Sequence, residues 1–95
     1  MYKFFIEEKL KKVLGKLFKK DRKRYEIVMK KIDEIISSEN PHHYKTLKHD
    51  LKEFKRVHID SHFVLLFKVD VENKLIKFID FDHHDKIYCK KYYQE

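Results

Sequence analysis

The sequence predicts an α+β fold, in which a small antiparallel sheet (a three-strand meander plus an N-terminal edge strand) packs on an N-terminal helical hairpin in the order β-α-α-β-β-β. Two observations support this prediction. Apolar residues recur with helical spacing through residues 7–36, and residues 54–88 divide into strand-like segments joined by tight turns. With 95 residues, 42% of them hydrophobic, the chain can build one modest core, so we expect a single domain over 1–95.

The N-terminal half predicts a short strand and two helices. Residues 2–6 are aromatic and β-branched, which suits an edge strand of the later sheet. Over residues 7–19 the apolar positions recur at i, i+3, i+4, i+7 and i+8, which is typical of an amphipathic helix. Asp21 is a candidate N-cap for a second helix, which we expect to end before Pro41. A connection this short makes the two helices antiparallel neighbours.

The C-terminal half predicts the meander. Residues 42–52 are polar with isolated apolar side chains and suit an irregular connection. Strands are expected over 54–59, 63–69 and 75–81, with turns at Asp60-Ser61 and Glu72-Asn73. Residues 86–88 fit either a short last strand or the start of a helix.

The expected strands differ in how much of each is buried. The middle strand is apolar at nearly every position, so both of its faces should be covered. In the strand before it, a period of two places Phe54, Arg56 and His58 on one face. Lys55, Val57 and Ile59 then lie on the other.

Composition and charge narrow the functional classes. The N-terminal residues carry no long apolar run, so we expect neither a signal peptide nor a membrane span. The single cysteine, Cys89, excludes an internal disulfide and fits a reducing cytoplasm. One glycine leaves no room for a Gly-rich phosphate loop. The formal net charge of +7 predicts a polyanionic partner, either nucleic acid or an acidic protein segment.

Seven histidines raise the question of a metal site, and their spacing argues against one. His58 and His62 would lie roughly 13 Å apart on an extended chain, and the adjacent pairs 42–43 and 83–84 would point to opposite sides of a strand. The sequence contains neither HExxH nor Cys-x-x-Cys, so we expect no metal and no cofactor. Cys89 has no placed base, and Ser61 has no nucleophile elbow, which disfavours covalent catalysis.

General acid–base chemistry on RNA fits these residue types better. RNA carries its own nucleophile, the 2′-hydroxyl, so an enzyme needs a base, an acid for the leaving 5′-oxygen, and cations around the phosphate. Histidine suits both proton-transfer roles near neutral pH. An inert surface position is the simpler interpretation for His42, His43 and His49. The meander brings strand ends together, which favours a functional role for His58 and His84.

The segments RVHIDSHFVLLFKV (56–69) and LIKFIDFDHHDKIY (75–88) resemble the C-terminal half of the RelE/ParE toxin superfamily, and most closely the YafQ-like branch of mRNA interferases. The shared features are a strand ending in His58-Ile59, a short acidic turn, an apolar strand, and His84 followed by Tyr88. The upstream order of elements also agrees. The resemblance implies a cytoplasmic type II toxin that cleaves mRNA in the ribosomal A site. It also implies a neutralising antitoxin protein, with a monomeric free toxin and a hetero-oligomeric complex.

The resemblance also implies roles for individual residues. His84 would be the proton donor, and His58 the base or a phosphate ligand. The family's acidic active-site residue falls at or near His62, which we therefore include as a catalytic candidate, and Val64 replaces an arginine of RelE. The candidates for binding phosphate, RNA or a stacked base are Lys45, Lys48, Lys55, Arg56, His83 and Tyr88.

Two other functions remain open at this stage. A ParE-like toxin that inhibits by contact, or a degenerate toxin that only binds its antitoxin or nucleic acid, needs no catalytic histidine. A generic nucleic-acid-binding domain would satisfy the charge alone, and would bind with a steep salt dependence and no cleavage.

Overall fold

The computed structural model describes residues 2–38 and 54–87 of the chain. Its elements follow the predicted order, with one short helix added at the end. They are β1 (Lys3–Ile6), α1 (Glu8–Lys20), α2 (Arg22–Ser37), β2 (Lys55–Ile59), β3 (Phe63–Asp70), β4 (Leu75–His83) and α3 (His84–Ile87). The α+β prediction is therefore confirmed, and Lys86 and Ile87 of the last predicted segment belong to the helix α3. The connection predicted over 42–52 lies outside the described residues.

The helical hairpin is closed by a single residue, Asp21. Asp21 follows the last residue of α1 and is the N-cap of α2, where its side chain accepts a hydrogen bond from the backbone N–H of Arg24 at 3.1 Å. This bond satisfies one of the free N–H groups of the first helical turn, as predicted from the sequence. At the other helix terminus, Lys19 and Lys20 lie in the last turn of α1, where positive charge interacts favourably with the helix dipole.

The four strands form one sheet in the order β1-β4-β3-β2. The β2–β3 and β3–β4 pairs are antiparallel, which confirms the meander. β1 pairs with β4 in parallel, so the sheet is mixed, whereas the sequence analysis expected an antiparallel sheet. The difference arises because only tight turns require antiparallel pairing. The connection from β1 to β4 contains both helices and two strands, and a crossover of that length permits a parallel partner.

The main core lies between the helical hairpin and one face of the sheet. Leu10, Val28 and Ile35 of the helices are fully buried against Leu65 and Phe67 of β3. Burial of a large apolar side chain contributes about 1.5–3 kcal/mol, so this interface supplies most of the apolar contribution to folding. None of the helices in the described residues has the length and apolar character needed to cross a membrane.

A second, smaller core covers the opposite face of the sheet beneath α3. It consists of Phe54, Val64, Leu66, Ile79 and Ile87. β3 therefore has both faces buried, as its uninterrupted apolar sequence predicted.

β4 contributes side chains to both cores, and a β-bulge in this strand determines which residues enter each core. The register with β3 shifts between Leu66 and Phe67, which pair with Asp80 and Phe78 and leave Ile79 as the extra residue. The extra residue interrupts the alternation of side chains between the two faces. As a result Phe78 and Phe81 both belong to the main core although they are three positions apart, and Ile79 belongs to the smaller one.

Candidate functional site

Four histidines converge at one end of the sheet. His58 lies in β2, His62 in the turn before β3, His83 at the end of β4 and His84 at the start of α3. Their rings form two pairs. The ring centroids of His58 and His84 are 6.3 Å apart, and those of His62 and His83 are 6.0 Å apart with nearly parallel planes. The antiparallel meander produces this arrangement, because the end of β2 and the end of β4 both flank the start of β3.

The two pairs belong to different faces of the sheet. His58 is opposite Val64, which lies in the small core away from the helices. His83 is opposite Phe63, which packs against the core on the helix side. Directly opposed residues share a face, so the His58–His84 pair lies on the face away from the helices and the His62–His83 pair on the helix side. From the sequence we expect His62 to act with His58 and His84, whereas in the structure its ring lies beside His83.

Asp85 contacts both histidines of the DHHD segment. Its Oδ1 lies 3.0 Å from Nδ1 of His84, and its Oδ2 lies 3.8 Å from Nδ1 of His83. A carboxylate at this distance orients the His84 ring and, when the ring is neutral, favours the tautomer that carries its proton on Nδ1.

The backbone of the site is fixed by the β2–β3 turn. The N–H of His84 donates to the carbonyl oxygen of His62 at 2.8 Å. This bond crosses from the first residue of α3 to the turn, and sets where α3 begins relative to the end of β2.

Arg56 lies on the same face of β2 as His58, two residues earlier. Alternate residues of a strand are roughly 6.6 Å apart, so the guanidinium and the imidazole line one surface. The Arg56 Nε is buried and has no hydrogen-bond partner among residues 2–38 and 54–87. An unsatisfied buried N–H costs about 1–3 kcal/mol, so an acceptor that reaches Arg56 Nε would recover that cost.

Of the other predicted RNA-binding residues, the described ones, Lys55 and His83, lie on the opposite face of the sheet. Lys55 is opposite Phe67, which belongs to the main core, so Lys55 is on the helix side of β2, as the strand period predicted. The candidates Lys45, Lys48 and Tyr88 lie outside the described residues. Within the described ranges, 2–38 and 54–87, no three His, Cys, Asp or Glu side chains are grouped as a metal site.

Two residues near the site were missed by the sequence analysis. Asp85 had a usable signal, since it directly follows two candidate histidines in a segment that interrupts the strand pattern. Arg24 had none. It lies in α2, and its Nε donates to Asp60 Oδ2 in the β2–β3 turn at 3.1 Å, a contact between residues 36 positions apart.

Comparisons with known proteins identify the family. No family model matches the sequence. A curated relative from Methanocaldococcus jannaschii, named "Putative toxin RelE4", is 55% identical over 91 residues, which cover 96% of this chain and 95% of the relative.

Solved structures give the same fold at much lower identity. The Escherichia coli RelBE toxin–antitoxin complex contains a chain that matches with a TM-score of 0.69 at 19% identity, covering 87% of this chain and 96% of that one. YafQ from E. coli matches with a TM-score of 0.64 at 16% identity, covering 93% and 99%. The resemblance noted in the sequence is therefore confirmed, and the chain belongs to the RelE family of toxins.

Proposed function

We propose that this RelE-family chain is a metal-independent endoribonuclease that cleaves mRNA on the ribosome, with His58 and His84 as its acid–base pair. The observation that carries the proposal is the approach of these two rings, 6.3 Å between centroids, on the sheet face that also presents Arg56. The whole chain acts as one toxin domain in the cytoplasm.

The reaction requires two proton transfers at one phosphodiester. A base removes the proton of the 2′-hydroxyl, whose oxygen attacks phosphorus and forms a 2′,3′-cyclic phosphate. The bond from phosphorus to the 5′-oxygen breaks, and an acid protonates that leaving oxygen. Because both oxygens are attached to the same phosphorus, two imidazoles a few ångströms apart can serve both. His84 is the acid, and His58 is the base.

Asp85 and Arg56 support these roles in two different ways, Asp85 by orienting a histidine ring and Arg56 by binding the phosphate. The contact between Asp85 and Nδ1 of His84 directs Nε2 of that ring toward the substrate, and His84 acts as the acid in its imidazolium form, which carries a proton on both ring nitrogens. The unsatisfied Nε of Arg56 supplies a donor for the phosphate, whose negative charge grows as the 2′-oxygen attacks. His62 and His83, on the helix side of the same sheet end, then serve to bind neighbouring RNA rather than to transfer protons.

The partner of the toxin is an antitoxin protein. The matching E. coli chain comes from a toxin–antitoxin complex, which supports the same pairing here. The free toxin is monomeric, and the complex is hetero-oligomeric. The high positive charge provides the long-range attraction that an acidic protein partner and an RNA substrate both use.

A test in cells separates catalysis from contact inhibition. Expression of the parent chain in a bacterial host should arrest growth and cut mRNA at the ribosomal A site, whereas His84→Ala should allow growth. Lys86→Ala, an exposed position in the same short helix, is the matched control and should remain toxic. Equal toxicity of the parent and His84→Ala without mRNA cleavage would instead support a ParE-like contact inhibitor.

A modified substrate assigns the acid and the base. Ribosomes programmed with an mRNA that carries sulfur in place of the 5′-oxygen at the scissile bond have a leaving group that needs no proton. His84→Ala should then cleave this substrate nearly as fast as the parent does, while His58→Ala should remain slow. If the sulfur substrate restores neither variant, His84 is not the acid.

A further inference from the structure

The side chain of Arg24 connects the β2–β3 turn, which carries His62, to the helical hairpin. The guanidinium of Arg24 bonds Asp21 at the N-cap of α2, with 2.6 Å between Nη1 and Oδ2, and bonds Asp60 in the turn at 3.1 Å. It also lies over the Phe63 ring, 4.4 Å from the guanidinium carbon to the ring centroid. Arg24 therefore makes three contacts, two of which are with the segment that leads into β3.

The turn needs such a contact because of its backbone. Asp60 has a φ of 58°, in the left-handed region that L-residues rarely adopt. A bond to its carboxylate favours this conformation over the extended alternatives. The conformation of Asp60 directs the chain through Ser61 to His62.

Two routes lead from Arg24 to the histidines. Through the backbone, Asp60 sets the position of the His62 carbonyl, which accepts from the N–H of His84. Through the side chains, Phe63 meets the His83 ring edge to face at 5.6 Å between centroids. Both routes start on the helix side of the sheet, and the first of them ends at the proposed acid on the opposite face.

We propose that Arg24 is a positioning residue for His84, acting across the sheet through the β2–β3 turn. The claim that Arg24 affects the rate of cleavage rests on the proposed function. The claim that Arg24 orients the His84 ring does not, since that orientation can be measured in the protein without RNA.

The matched control is Arg22, two positions earlier in α2. Arg22 also lies over a phenylalanine ring, with its guanidinium carbon 3.6 Å from the centroid of Phe18, and its Nε donates to the Phe18 carbonyl oxygen. Those contacts stay within the helical hairpin. Arg22→Ala thus removes an arginine with a similar local environment but without the connection to the turn.

The geometric test uses NMR of the uniformly ¹⁵N-labelled chain. Arg24→Ala should shift the backbone amide of His84 and its imidazole resonances, and should lower the hydrogen-exchange protection of that amide, whereas Arg22→Ala should leave them unchanged. Unchanged His84 signals in Arg24→Ala would overturn the inference, whatever the enzyme does.

If Arg24→Ala does not fold, Asp60→Asn replaces it, because Asn tolerates the left-handed conformation but lacks the charge. The same shifts should appear in Asp60→Asn, and their absence would also overturn it.

The kinetic test uses the cleavage assay at a temperature where all variants are folded by circular dichroism. Arg24→Ala should lower kcat about 10- to 100-fold with little change in KM, as expected when a catalytic group moves by about 1 Å. Arg24→Lys keeps the charge without the planar fork and should restore only part of the rate. A parent chain that cleaves no RNA would refute the proposed function, and the His84 shifts would still decide whether Arg24 positions the ring. Cleavage by Arg24→Ala at the parent rate would refute the positioning role alone.

Discussion

The turns at the two ends of the sheet share a backbone feature and differ in what stabilises it. Both contain a non-glycine residue in the left-handed region, Asp60 at φ 58° in the β2–β3 turn and Lys74 at φ 51° in the β3–β4 turn. Aspartate visits this region several times more often than most residues, and lysine has no such preference. Different contacts therefore stabilise the left-handed conformation in the two turns.

The β3–β4 turn is stabilised mainly by its own sequence. Asp70 accepts hydrogen bonds from the backbone and the side-chain amide of Asn73, at 3.1 and 2.8 Å, which is an Asx-type turn. The backbone N–H of Lys3 in β1 adds one bond to the carbonyl oxygen of Lys74. These contacts fix a turn that the residue pattern alone already indicated.

The β2–β3 turn depends on a contact with a distant part of the chain. Its carboxylate is held by Arg24 of α2, and its last carbonyl oxygen by the N–H of His84. The end of the sheet that carries the histidines thus depends on the packing of the helical hairpin. The geometry of the candidate site is therefore a property of the tertiary fold, while the opposite turn is mainly a local structure.

The largest expected difference between the two ends is in catalysis. His58→Ala removes one proton-transfer group and should lower the rate of mRNA cleavage about 10²- to 10⁴-fold. Asn73→Ala, in the opposite turn, should leave that rate unchanged. Single-turnover cleavage of ribosome-bound mRNA measures both. Equal losses in the two variants would show that the effect is general destabilisation, and would remove the argument for a site at the histidine end.

The next effect is on stability, through the residue that joins the helices. Asp21→Ala removes the N-cap of α2 and one of the two carboxylates that bind Arg24, and should lower the free energy of unfolding by about 1 kcal/mol. Asp33→Ala, an exposed aspartate in the middle of α2, is the control and should cost nothing because alanine favours helix. Urea denaturation of both variants gives the comparison. A control that loses as much as Asp21→Ala would contradict the capping role.

Glycine substitution at the two left-handed positions should have different signs. Lys74→Gly relieves a conformational cost of about 1–2 kcal/mol. It also adds chain entropy in the unfolded state of about 0.5–1 kcal/mol, so a net gain of about 0.5 kcal/mol is expected. Asp60→Gly gains less relief, because aspartate tolerates this region better than lysine, and it loses the bond to Arg24, so it should be neutral or destabilising. Thermal unfolding of both variants tests this, and equal gains would show that the Arg24 contact adds nothing to stability.

The sequence predicted the features that arise from local patterns. Helical periodicity and the Asp21 cap gave the hairpin, and the turns gave the meander that brings His58 and His84 together. The parallel pairing of β1 was missed because residues 2–6 indicate a strand but carry no information on its direction relative to a partner so far along the chain. The bulge at Ile79 was missed for a related reason, since one extra residue in an apolar strand leaves no mark in its composition.

The candidate site could be predicted in part, because local patterns in the sequence give the order of the strands. The adjacency of strand ends follows from the order of strands, so the pairing of His58 with His84 was accessible. The separation of His62 from that pair could not be predicted, because the position of His62 depends on how the backbone conformation of Asp60 directs the next two residues. The contact between Arg24 and Asp60 joins distant segments, and no local pattern indicates which of several cations on the helices will reach the turn.

The smallest expected effect is the pH dependence of the β3–β4 turn. The side-chain and backbone hydrogen bonds from Asn73 lower the pKa of Asp70 below its ordinary value of 3.8. A carboxylate with a lowered folded-state pKa adds stability that is fully present above the unfolded-state value and is lost as the pH falls through the folded-state value. The stabilisation should therefore begin to decline as the pH falls below about 4, and it is lost once the pH is below the folded-state pKa, where the carboxylate takes up a proton and releases Asn73.

Asp70→Asn tests this because it removes the titrating group while keeping its size. The difference in unfolding free energy between the parent and Asp70→Asn should shrink as the pH is lowered from about 5 to about 2.5. Glu72→Gln is the matched control, since it removes a neighbouring exposed carboxylate whose side chain is not among the groups that lower the Asp70 pKa. Its difference from the parent should stay constant over that range. A constant difference for Asp70→Asn as well would mean that the turn is held by its backbone bonds alone, and the two ends of the sheet would then differ less than their hydrogen bonds indicate.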